Sequence, residues 1–130
     1  MKERIIKVLK VMPGEEPVAA TLENELTALQ EAVSIECEER GLIEIIDLSE
    51  KVCLLCNEEG KLLNLRPNRR VGFDIIAGVF YVCGQNRRGD LCSLSDKEMD
   101  SYKSLYALGS DTDVTEDFLS LLSTIFAEVE

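Results

Sequence analysis

Hydrophobic and polar positions alternate along the first part of the chain, and the alternation predicts strands. Ile5 to Val11 reads IIKVLKV, with Ile6, Val8, Leu9 and Val11 toward a core and lysines between them. Met12-Pro13-Gly14 is a turn, because proline fixes one backbone dihedral and glycine accepts positive φ. Pro17 to Leu22 returns as a second strand, with its proline at an edge or strand-opening position. The period then changes. Asn24 stands as the N-cap of a short helix over ELTALQEAV, which sets Leu26, Leu29 and Val33 on one face. Glu36 to Gly41, ECEERG, reads as a helix end or loop, and Leu42–Leu48 and Lys51–Cys56 follow as strands three and four.

In the second half, Glu58-Glu59-Gly60-Lys61 reads as a tight turn, with glycine as its left-handed residue. Lys61–Leu65 is a candidate short strand paired back on the fourth, and Pro67–Arg70 a basic loop. Phe73 to Cys83 is the most apolar run, and its β-branched and aromatic content predicts a strand. Gly78 inside it marks a bend, a bulge or a close backbone approach. Ser95 with Glu98 forms a capping-box pattern, and Met99, Tyr102 and Tyr106 then share one helix face. After a linker over Leu108–Thr112, Asp113 and Glu116 repeat the capping logic. Val114, Phe118, Leu121, Leu122, Ile125 and Val129 follow at helical spacing. The pattern predicts an α+β fold. Its mainly antiparallel sheet has about five to six strands, with one helix after the N-terminal hairpin and two C-terminal helices. Residues 1–108 form the domain, and 109–130 a C-terminal amphipathic helix packed on it or on a partner.

Charge changes this picture more than composition does. The chain of 130 residues is 45% hydrophobic and 30% charged, ordinary for one globular domain, but its net charge is −11. Such a chain repels phosphates, so direct nucleic-acid binding is not expected. Without a long apolar run, no membrane span is expected either. MKERIIKVLKV reads as a strand, not a signal peptide, and five cysteines, an odd number, indicate a reducing cytoplasmic setting.

Candidate chemistry is sparse. Cys53 and Cys56 form a C-x-x-C, yet residues three apart on a strand point to opposite faces, so no metal site is expected. The chain has no histidine, which removes the usual general base, and no phosphate-cradling glycine motif occurs. No cofactor is implied and an enzyme is not expected. Glu58 and Asp74 could face each other across the hairpin, although turn solvation explains them as well. Arg66, Arg69 and Arg70 concentrate positive charge in an acidic protein. With Asn57, Glu58, Asn68 and Asp74 they form the candidate binding patch, where arginine's planar fork suits carboxylate or phosphate. The competing reading is intramolecular, with the arginines neutralising Glu58, Glu59 and Asp74. The helix face of Phe118, Leu121, Leu122 and Ile125 is the candidate partner surface, through which a homodimer could form.

The runs Cys56-Asn57-Glu58-Glu59-Gly60-Lys61, Leu65-Arg66-Pro67-Asn68-Arg69 and Ile76-Ala77-Gly78 resemble the family grouped as domain of unknown function 3846. The resemblance covers roughly residues 5–107. The ECEERG segment and the Val114–Glu130 helix depart from the family pattern. It implies a setting in bacteria, phages and other mobile elements, and no activity. Three functional expectations follow. The first is a non-enzymatic module that binds a protein partner and is encoded by a mobile element. The second is an acidic mimic of DNA that inhibits a nucleic-acid-binding defence protein; the third, a small-ligand module using the Asn57–Arg70 patch.

Overall fold

The computed structural model describes residues 2–114. Strands β1 (Ile5–Val11) and β2 (Val18–Glu23) form the N-terminal hairpin, with Ile6, Val8, Leu9 and Val11 fully buried. Helix α1 (Leu26–Ala32) follows, then β3 (Ile43–Asp47) and β4 (Val52–Asn57). The chain continues through β5 (Pro67–Val71), β6 (Asp74–Ala77), β7 (Phe80–Gln85) and β8 (Leu91–Cys92) to helix α2 (Asp96–Leu105). The main sheet runs β2-β1-β7-β4-β3, with β8 also on β7, and every pairing is antiparallel. It has six strands, and β5 and β6 form a separate two-stranded sheet. An α+β fold built mainly on an antiparallel sheet is therefore the observed class.

Because alternate residues of β4 and β7 serve opposite faces, the sheet carries two cores. One joins Ile6, Val8, Cys53, Leu55, Tyr81 and Cys83 to Leu29 and Val33 at α1. The other joins Leu9, Val11, Leu54, Cys56, Phe80 and Val82 to Tyr106 and to Met99 and Tyr102 of α2. Tyr106 meets Phe80 edge-on with ring centroids 5.3 Å apart. The capping box forms as expected, Glu98 N donating to Ser95 Oγ at 3.1 Å and Ser95 N to Glu98 Oε1 at 2.9 Å.

Several local expectations are corrected. Glu25, not Asn24, caps α1, because Asn24 is drawn inward, where its amide donates to the carbonyls of Glu3 and Leu91 at 2.9 and 3.1 Å. Leu26 is exposed, so the helix buries Leu29 and the following Val33. Lys61–Leu65 is a turn rather than a strand, and its left-handed residue is Asn64 (φ 56°). Gly60 serves close approach instead: a Cβ there would lie 2.6 Å from the carbonyl oxygen of Ala77. Pro67–Arg70 is not a loop but most of β5. The run Phe73–Cys83 is not one strand. Gly78 at φ +84° breaks it into β6 and β7, and Phe73 falls in the turn before β6. Of the two C-terminal helices, α2 is observed, and the one expected over Val114–Val129 lies outside the described residues beyond its first position.

Candidate functional site

The residues singled out between Asn57 and Asp74 divide into an interior set and an exposed set. Asn68 and Arg69 are adjacent in β5, yet both are fully buried. Regular strand geometry would send one of them outward. The register of β5 on β6 shifts between Pro67 and Arg69, and this bulge re-aims the side chains. Asn68 donates to the carbonyls of Val11 and Gly78, both at 2.8 Å, joining the small sheet to the end of β1 and to the Gly78 break.

Arg69 binds more segments than any other side chain described. Its Nε donates to the Tyr106 carbonyl at 2.9 Å, and Nη2 to the Glu15 carbonyl at 2.7 Å. Nη1 donates to Asn68 Oδ1 at 2.9 Å and lies 3.9 Å from Asp113 Oδ1. One planar fork thus holds together the β1–β2 turn, the end of α2 and the chain just beyond it. Burial pulls the guanidinium pKa down, and Asp113 and Glu16 oppose that shift. The intramolecular reading of Arg69 fits, but with Asp113 as its acid in place of Glu58, Glu59 and Asp74.

Asn57 is interior too. Its Oδ1 accepts from Glu59 N at 2.9 Å, and its amide points at Val33 O and Ser34 Oγ at longer distances of 3.5 and 3.4 Å. Glu36, from the ECEERG segment, was not among the candidates, yet its Oε1 accepts from Val79 N at 2.8 Å beside the Gly78 break. No local pattern marks that role, because the partner lies 43 residues away.

Glu58, Arg66, Arg70 and Asp74 are exposed. Arg66 lies over the turn at Gly14, where an added Cβ would be 3.0 Å from its Nη2. The backbone of Arg70 donates to Thr112 O at 2.6 Å, while its side chain faces solvent. Asp74 pairs with Lys61 and accepts from Ile75 N at 2.8 Å; these bonds hold its carboxyl below the usual range. Glu44, Asn57, Glu58, Lys61 and Asp74 line a cavity of 210 Å³, and Arg69 is not part of its wall. The patch is therefore not a single surface.

Two large apolar side chains of this region are exposed. Phe73 is fully exposed (112%), in the turn between β5 and β6 that Gly72 enters at φ 61°. Leu62, in the facing turn, is 82% exposed. The sequence signal was available: Gly72-Phe73 between Val71 and Asp74 is the glycine-first loop of a two-residue hairpin.

Cys53 and Cys56 belong to cores on opposite faces of the sheet, as their spacing requires. Burial is the main cause that raises the Cys53 thiol to about 11 and the Cys56 thiol to about 12, with Asp47 adding to the first and Glu44 to the second. All five cysteines are free, and among the described residues no group of three or more metal-type ligands is placed to hold an ion. Exposed carboxylates occur both on α1 and its following turns and on α2, which cover opposite faces of the sheet. Phe118, Leu121, Leu122 and Ile125 lie outside the described residues. Among those described, no helix is long and apolar enough to cross a membrane.

No curated protein and no solved structure matches the chain. The family described as Domain of unknown function (DUF3846) matches residues 6–107, which takes in both cores, Arg69 and the Phe73 turn. The chain therefore belongs to the domain of unknown function 3846 family.

Proposed function

We propose that this domain is a non-enzymatic protein-interaction module whose contact element is the tip of the β5–β6 hairpin. The observation that carries the reading is the contrast within that hairpin. Phe73 stands wholly in solvent, while Asn68 and Arg69 fix the other end into the domain. A large aromatic held on a rigid support is the kind of anchor that fills a pocket on a partner, and exposed Leu62 follows Lys61, which pairs with Asp74 beside Phe73. Glu58 and Glu59 border the facing turn, and the chain carries a net charge of −11, so the matching pocket is apolar with a basic rim. A phage or other mobile element is the setting proposed for such a module, and five free thiols suit a reducing cytoplasm.

The test is affinity capture from host lysate with the full chain, comparing wild type with Phe73→Ser and Leu62→Ser. Proteins retained by wild type and lost by both variants, at unchanged melting temperature, support the reading. An identical captured set for all three chains contradicts it. Adding competitor DNA separates the alternative of DNA mimicry, in which DNA releases the captured protein and the Phe73 substitution does not.

A further inference from the structure

The outer edge of β2 has the chemistry to pair with a second copy of this chain. Asn24 N donates to Arg4 O at 2.7 Å, which fixes the phase of the β1–β2 ladder. In that phase Val18, Ala20 and Leu22 exchange hydrogen bonds with β1, and the N–H and C=O groups of Ala19, Thr21 and Glu23 point away from it. Among the described residues β2 has no strand partner on that side. The two edges of the main sheet are defended differently. β3 is shorter and carries Glu44 and Asp47, both exposed. β2 reads VAATLE, with small side chains at Ala19, Ala20 and Thr21 and no lysine or internal proline to block an incoming strand.

We propose that two copies join β2 to β2 in antiparallel register about a two-fold axis, making one continuous sheet. Charge selects a second copy over a foreign strand. Between β2 and α2 runs an open groove of 680 Å³ whose walls include Lys7, Ala19, Thr21, Asp96, Asp100 and Lys103. Two lysines and two aspartates balance there, in a chain whose net charge is −11. This is the kind of surface on which two acidic copies meet with least repulsion. The two-fold sets the α2 helices antiparallel on the same face of the joined sheet. Asp96, near the start of one helix, then comes toward the partner's Lys103, near the end of the other. Pairing about Thr21 sets Ala19 opposite the partner's Glu23, so the outward groups of each strand are matched. This surface is distinct from the Phe73 tip, and the proposal does not depend on that reading.

Sedimentation velocity over a concentration series tests it on the full chain. Wild type is expected to move from the 14.5 kDa monomer toward twice that mass. Thr21→Pro deletes an outward N–H without touching the β1 ladder, and Lys103→Asp leaves Lys7 as the one lysine against three aspartates in the groove wall. Each is expected to weaken association at least about tenfold. The double exchange Asp96→Lys with Lys103→Asp restores complementarity and is expected to recover most of the loss. A wild-type chain that stays at 14.5 kDa throughout overturns the proposal, as does a dimer unmoved by both single variants. Where Thr21→Pro fails a circular-dichroism check of folding, Lys103→Asp decides alone, because it changes only exposed surface.

Discussion

The two ends of the β5–β6 hairpin obey opposite rules. At its base, two polar residues that a surface normally claims, Asn68 and Arg69, are sealed in the interior with their donors matched to Val11, Gly78, Tyr106 and Glu15. At its tip, an aromatic residue that a core normally claims stands in water. Burial of a charge is tolerated only when it is paired and hydrogen-bonded, and the base meets that condition. Exposure of Phe73 has no such compensation within the described fold. The polar residues of the base are occupied within the fold, which leaves the apolar tip as the contact surface of this hairpin.

Removing the base should have the largest effect. Arg69→Ala strands the carbonyls of Tyr106 and Glu15 and removes the guanidinium beside Asp113. It is expected to cost about 3–5 kcal/mol, read as a lower urea midpoint. Arg69→Lys should recover only part of this, since an ammonium cannot reproduce the planar fork. Next comes the joint between the hairpin and the main sheet. Gly78→Ala puts a Cβ 2.7 Å from Leu65 Cδ1 at a φ of +84°, and a loss of about 1–3 kcal/mol should appear in thermal unfolding.

The tip should behave in the reverse sense. Phe73→Ser should change stability by no more than about 0.5 kcal/mol, because the ring is already in solvent, while capture of the partner is lost. A small, pH-dependent effect is expected at Asp74. Its folded carboxyl titrates below the usual range, so its pairing stabilises the fold above the unfolded pKa of about 3.9. That contribution is lost as pH falls through the lower folded value. Asp74→Asn should remove this acid-side slope and leave stability at neutral pH within the roughly 0–1 kcal/mol of an exposed ion pair.

A chemical probe extends the same contrast to the sheet. Cys53, Cys56 and Cys83 are buried, with thiols raised chiefly by burial, whereas Cys37 and Cys92 are half-exposed. Alkylation of the native protein near neutral pH should label Cys37 and Cys92 first. The other three should react only on unfolding.

The regular part of this fold was legible along the chain, and the reason is periodicity. Alternation in IIKVLKV and the capping box at Ser95 are local, so β1 and α2 lie where the pattern places them. Opposite faces for Cys53 and Cys56 follow from strand geometry alone. The hairpin was not legible, because its logic is long-range. Arg69 reaches Glu15 across 54 residues and Tyr106 across 37, and nothing in the run RPNRR signals either partner. A cluster of arginines reads as surface charge because arginine is rarely buried without partners. Phe73 was misplaced for a different reason. An aromatic next to an apolar run reads as part of that run unless Gly72 is recognised as opening a two-residue turn.

The division of the hairpin into a structural base and a contact tip is tested most directly by urea unfolding of Arg69→Ala and Phe73→Ser side by side. A gap of about 3 kcal/mol or more is expected between them, with Phe73→Ser indistinguishable from wild type. Equal losses for the two variants, or an Arg69→Ala chain as stable as wild type, would contradict it.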